Sequence, residues 1–128
     1  MRKIASYIIK MLLIHLLKDK GSIMALTREF KSTIRDRAQK DSEFRKALLI
    51  EAVNSLLADE LDVAKSLLKD YINASILFEP LAERVHKNSK SLQRMFSAKG
   101  NPTAQSLFSV IHVLQESEGI RLTVNEMH

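Results

Sequence analysis

Residues 78–96 read FEPLAERVHKNSKSLQRMF, and their spacing decides the fold. Pro80 suits the first turn of a helix running to about His86, and Asn88-Ser89 supplies the turn and N-cap of a second helix running to about Ser97. Leu81, Ala82 and Val85 give the first helix its buried side, and Leu92, Met95 and Phe96 give the second its own. Ala82 is small enough for the helices to approach closely. The exposed side of the second helix is then Lys90, Ser91, Gln93 and Arg94, cationic or hydrogen-bonding groups that can read base edges or contact phosphates. The bland alternative is a solvated helix face, with Arg94 paired to Glu83 or Glu79.

Downstream lies Ala98-Lys99-Gly100-Asn101-Pro102-Thr103. Gly100 permits unusual backbone angles, Asn101 can cap, and Pro102 suits the first position of a following helix. The free N–H groups at that helix start, with Lys99 beside them, form a place for a phosphate; a simple cap needs no ligand. The final helix carries Leu107, Phe108, Val110, Ile111 and Leu114 until Gly119 ends it. Residues 120–124 alternate like a short strand, whose edge is open to pairing across a dimer.

Upstream, Thr27 caps a short basic stripe made by Phe30, Ile34 and Ala38. Asp41-Ser42 starts the next helix, in which Phe44, Leu48, Leu49, Ala52, Val53, Leu56 and Leu57 recur at helical spacing. Asp59 marks the break. Val63, Leu67, Leu68, Tyr71 and Ile72 outline another amphipathic helix ending near residues 73–75. No repeat or low-complexity tract interrupts the chain. The organisation expected is an extension at 1–23, a basic helix at 24–40 and one helical domain at 41–128.

Composition agrees with an all-α chain of a single domain. The 128 residues include three Gly, two Pro and 5% aromatics, too few turn-formers for a sheet protein, and 45% hydrophobic residues for a core. The absence of cysteine excludes disulfides, thiolate nucleophiles and Cys-ligated metal. His15, His86, His112 and His128 lack ligand spacing, so no metal and no cofactor are expected. Nucleophile elbow, P-loop and HExxH strings are missing as well, and a non-enzyme is expected.

The net charge of +5 is unevenly placed. Residues 1–23 hold five cations against Asp19, which accounts for +4 of it. Residues 51–83 have seven acids against Lys65 and Lys69, a surface suited to a basic protein partner. Residues 84–101 are the opposite, with Arg84, Lys87, Lys90, Arg94 and Lys99 facing no acid, a footprint suited to a polyanion.

Residues 1–23 fit neither a signal peptide nor a membrane span, because Lys10 and His15 interrupt an apolar run shorter than the roughly 18 to 20 residues that a span needs. A cationic amphipathic helix on a membrane surface is one alternative. The other is translation from Met24, since Lys20-Gly21 must be encoded AAR-GGN, a purine-rich stretch like a bacterial ribosome-binding site about seven nucleotides before the Met24 codon. A cytoplasmic location is expected on that account.

Aligned on Ala82, residues 78–96 resemble the helix-turn-helix of lambda-repressor-like (Cro/Xre-type) regulators. The continuation, with Arg94-Met95 and Gly100-Asn101-Pro102-Thr103, is more particularly similar to the antidote (antitoxin) proteins of bacterial toxin–antitoxin addiction modules. The resemblance covers about residues 44–124 and is strongest after Asp70. It implies a five-helix DNA-binding domain, a homodimer on a palindromic operator of double-stranded DNA, repression of its own promoter and a cognate toxin, though some relatives are regulators without one. Residue by residue, it assigns Ser89, Lys90, Gln93 and Arg94 to the bases and Lys99, Asn101 and Thr103 to phosphate, with Ser91 on the same exposed helix face. His86 stands where the turn usually has Gly, and Lys87 where an apolar residue is common. From another class, the competing expectation is a helical protein-interaction module, membrane-associated through residues 1–23, with the helix pair as scaffold.

Overall fold

The computed structural model describes residues 32–127, and these are all-α. Residues 32–40 are helical, followed by α1 (Ser42–Leu57), α2 (Leu61–Ala74), α3 (Phe78–Arg84), α4 (Ser89–Met95) and α5 (Ala104–Glu118). The described residues fall into two compact units divided between Ser75 and Ile76. The chain path breaks there because Ser75 (φ −127°, ψ −99°) and Leu77 (φ 73°, ψ 157°) both leave helical geometry. The expectations for residues 1–23, the Thr27 cap and Phe30 lie outside the described residues.

In the first unit, Ile34 and Ala38 of the leading helical stretch are buried, as their spacing requires. Asp41 then ends one helix and starts the next. Its N–H donates to the Arg37 carbonyl (2.9 Å), and its carboxylate accepts from the N–H groups of Glu43 (3.1 Å) and Phe44 (3.2 Å). The Phe44 N–H bond, helped by the Arg37 guanidinium at 3.2 Å, holds the Asp41 carboxyl below its ordinary value against the opposing effect of desolvation.

The helices α1 and α2 pack on each other through Phe44, Leu48, Leu49 and Ala52 of one and Ala64, Leu67, Leu68, Tyr71 and Ile72 of the other, all buried. The expected stripe on α1 is too generous at its end. Val53 and Leu56 are half-buried and Leu57 is 65% exposed, because the helix stops there and no following turn covers it. Asp59 makes the break in the left-handed region (φ 61°), with the Glu60 N–H on the Ser55 carbonyl and the Asp59 N–H on Leu56. Two charges counted as surface are inside: Lys65 is 3% exposed and Asp70 1%. Lys65 reaches Asp62 at 3.6 Å. With Asp70 interior, the exposed acids of residues 51–75 are Asp59, Glu60 and Asp62, at the turn between α1 and α2.

In the second unit α3 packs on α4 and α5. Leu81, Ala82, Leu92, Phe96, Leu107, Val110, Ile111, Val113 and Leu114 are its buried apolar side chains, with Phe78 tilted against Phe96 (centroids 6.2 Å apart). Val85 and Met95, expected inside, are half-buried because each sits at the end of a seven-residue helix.

The strand expected at 120–124 is not formed, and no strand occurs among the described residues. A strand needs a neighbour for its backbone groups. Here the Leu122 N–H donates instead to the Gln115 side-chain oxygen (2.7 Å), and residues 120–127 run as irregular chain. No helix among the described residues is long and apolar enough to cross a membrane.

Candidate nucleic-acid interface

The turn between α3 and α4 is built from backbone hydrogen bonds. His86 adopts φ 56°, the left-handed geometry that glycine would take there. The Lys87 N–H then reaches the Ala82 carbonyl (2.9 Å) and the His86 N–H reaches Glu83 (3.3 Å), closing the C-terminus of α3. Asn88 opens α4, its side-chain oxygen accepting from the N–H groups of Lys90 (2.9 Å) and Ser91 (3.3 Å).

With Leu92 fully buried and Phe96 nearly so, the 3.6-residue period turns Lys90, Ser91, Gln93 and Arg94 outward, and all four are exposed. Their weak internal contacts leave them available. Gln93 donates to Ser89 Oγ at 3.3 Å, and Arg94 donates to Ser91 Oγ at 3.4 Å, not to Glu83 or Glu79. Ser89 itself is half-buried and engaged along its own helix, so of the residues expected at the bases it is the least accessible.

Charge sorts the remaining candidates. Arg84 is tied to Glu116 at 2.8 Å, a pairing that residues 32 positions apart reveal only once folded. Lys87, Lys90, Arg94 and Lys99 are exposed and make no ion pair among the described residues. They bracket α4 from its N-terminal turn to the loop beyond its C-terminus.

That loop is held by close approach. The expectation that Gly100 supplies unusual angles is corrected, since the left-handed glycine here is Gly119 (φ 72°). A Cβ at Gly100 would instead collide with the carbonyl oxygens of Arg94 and Met95 at the end of α4. Ser97 completes this junction, its hydroxyl donating to the Arg94 carbonyl (2.7 Å) and its carbonyl accepting from the Gly100 N–H (3.0 Å).

The cap of α5 is Thr103 and not Asn101, and Pro102 therefore precedes the helix by two positions instead of opening it. The Thr103 hydroxyl accepts from the Ser106 N–H (3.1 Å) and contacts Ser106 Oγ (3.0 Å). A β-hydroxyl three residues before a free N–H is the geometry a cap needs. Thr103 is thereby occupied, while Lys99 and Asn101 are exposed beside the helix start. Among the described residues no three His, Asp or Glu side chains gather as a metal set. Comparison with protein-family models, with curated proteins and with solved structures returns no match for this chain.

Proposed function

We propose that the protein is a sequence-specific DNA-binding transcriptional regulator, not an enzyme, acting as the antitoxin and autorepressor of a toxin–antitoxin module. The observation that carries DNA binding is the outward row Lys90, Gln93 and Arg94 on a capped helix whose opposite side is buried, flanked by Lys87 and Lys99 with no acid partner. In this reading α3 and α4 are a helix-turn-helix, and α4 enters the major groove. Gln93 presents the amide that pairs bidentately with adenine, and Arg94 the guanidinium that pairs with guanine. Lys87, Lys90 and Lys99 neutralise phosphates and set the register, which supplies most of the salt-dependent affinity. Repression follows from occlusion of a promoter. The antitoxin role rests on the likeness of Arg94-Met95 and Gly100-Asn101-Pro102-Thr103 to that group.

The test is binding to labelled DNA from upstream of the protein's own gene against scrambled competitor. Competitor-resistant binding is expected, with Arg94→Ala losing about 1–3 kcal/mol and relaxing the preference at one base pair. Equal loss on all sequences would refute base reading by Arg94. The toxin partner is tested separately by co-purification with the product of the adjacent reading frame; stable association supports the antitoxin role, and its absence leaves a regulator without a toxin.

A further inference from the structure

One oxygen of Glu116 lies within reach of two basic side chains. Glu116 Oε1 accepts from the Arg84 guanidinium at 2.8 Å and sits 3.6 Å from Nε2 of His112, one helical turn back along α5. Arg84 is the last residue of α3, just before the left-handed turn at His86, so its bond to Glu116 ties the end of α3 to α5. No other charge competes for the place. Glu79 and Glu83 of α3, and Lys90 and Arg94 of α4, make no ion pair with any of the three side chains among the described residues. On α5 itself, residues 104–115 contain no Lys, Arg, Asp or Glu, and Glu118 lies on another side of the helix.

Histidine is the side chain whose ordinary titration falls between pH 5 and 8. While His112 is neutral, the charges of Arg84 and Glu116 cancel. Once it is protonated, two cations face one carboxylate, the three side chains together carry a single positive charge, and the two cations repel each other. The side chains are 42%, 54% and 70% exposed for Arg84, Glu116 and His112, and so exposed an ion pair is weak enough for one added charge to shift it. We propose that His112 is a pH-sensitive switch on Arg84. Its protonation loosens the guanidinium from Glu116 and adds Arg84 to the free cations Lys87, Lys90, Arg94 and Lys99. The exchange among the three side chains is independent of DNA; its consequence, tighter DNA binding at lower pH, rests on the function proposed above.

The experiment is filter binding of the full chain, and of its His112→Gln, His86→Asn and Glu116→Gln variants, to DNA from upstream of the gene, over a salt series at pH 8 and pH 6. The wild type and His86→Asn are expected to bind about two- to fivefold tighter at pH 6 in roughly 0.15 M salt, with a log–log slope steeper by up to about 0.9, the effect of one further phosphate neutralised. His112→Gln should behave at both pH values as the wild type does at pH 8, and Glu116→Gln at both as the wild type does at pH 6. Equal wild-type slopes at the two pH values overturn the proposal. So does a pH dependence that survives in His112→Gln, which places the titrating group elsewhere, or in Glu116→Gln, which means that the histidine acts without Arg84. A second readout needs no DNA: the coupling between Arg84→Gln and Glu116→Gln in urea unfolding should be smaller at pH 6 than at pH 8, and equal at both in a His112→Gln background. That shrinkage without discriminating DNA binding would remove the proposed function and leave the switch standing. Specific DNA binding with an unchanged coupling would do the reverse.

Discussion

His86 occupies a position where backbone geometry, not side-chain chemistry, sets the requirement. With φ 56° it bears the steric cost that Asp59 (φ 61°) bears at the end of α1 and that Gly119 (φ 72°) avoids at the end of α5. Replacing His86 by Gly is therefore expected to stabilise the fold by about 0.5–1 kcal/mol, the strain relieved being partly offset by the freer unfolded chain, and chemical denaturation measures it. A β-branched residue such as Val should destabilise it instead. Gly100 is constrained for the opposite reason, since space and not angle is lacking. Gly100→Ala must push the loop away from the Arg94 and Met95 carbonyls, and an overpacking cost of about 1–3 kcal/mol is expected in thermal unfolding. Because Lys99 and Asn101 sit on that loop, the same variant should weaken DNA binding evenly across sequences, leaving the preference at the Arg94 base pair in place.

At the scale of elements, caps and boundaries were the most legible part of the sequence. Asp41, Asp59, Asn88 and Gly119 end or begin helices where their chemistry says they should, because the groups they satisfy are within four residues. Asn101 is the expected cap of the last helix, but Thr103 takes that place, its hydroxyl accepting from the Ser106 N–H three residues on. Asp41 also gives a pH prediction. Its carboxyl is held below the ordinary value, so its contribution is fully present above the unfolded-state pKa, near 3.8, and is lost as pH falls through the lower folded-state value. Circular dichroism under acid should show the junction of α1 with the preceding helix loosening below about pH 4, and Asp41→Asn, which keeps an acceptor oxygen without titrating, should lack that step.

For the whole molecule, the electrostatic prediction concerns how many cations are free. Residues 84–101 carry five, but the Arg84–Glu116 pair leaves Lys87, Lys90, Arg94 and Lys99. Arg94 is assigned to a base, so if the three lysines each neutralise a phosphate, log K should fall against log salt with a slope of about −3 per protomer. A slope near −1 would mean that DNA touches little of this surface. Glu116→Gln should free Arg84 and steepen the slope, or leave it unchanged if Arg84 faces away from the duplex; filter binding across a salt series separates the two.

The sequence alone determined the helical class, most of the places where helices start and stop, and which side of α4 faces outward, because capping and a 3.6-residue period act over one or two turns. Only the tertiary structure decided what depends on distant neighbours. It buried Lys65 and Asp70, which read as surface charges, and paired Arg84 with Glu116 across 32 positions. It made Gly100 a contact instead of a hinge. It also left Phe108, which has the same apolar character as Leu107 and Val110, on the outside of α5. Residues 120–124 carry the alternation of a strand and form none, since a local pattern fixes which side chains share a face but cannot supply the neighbouring backbone that a sheet requires.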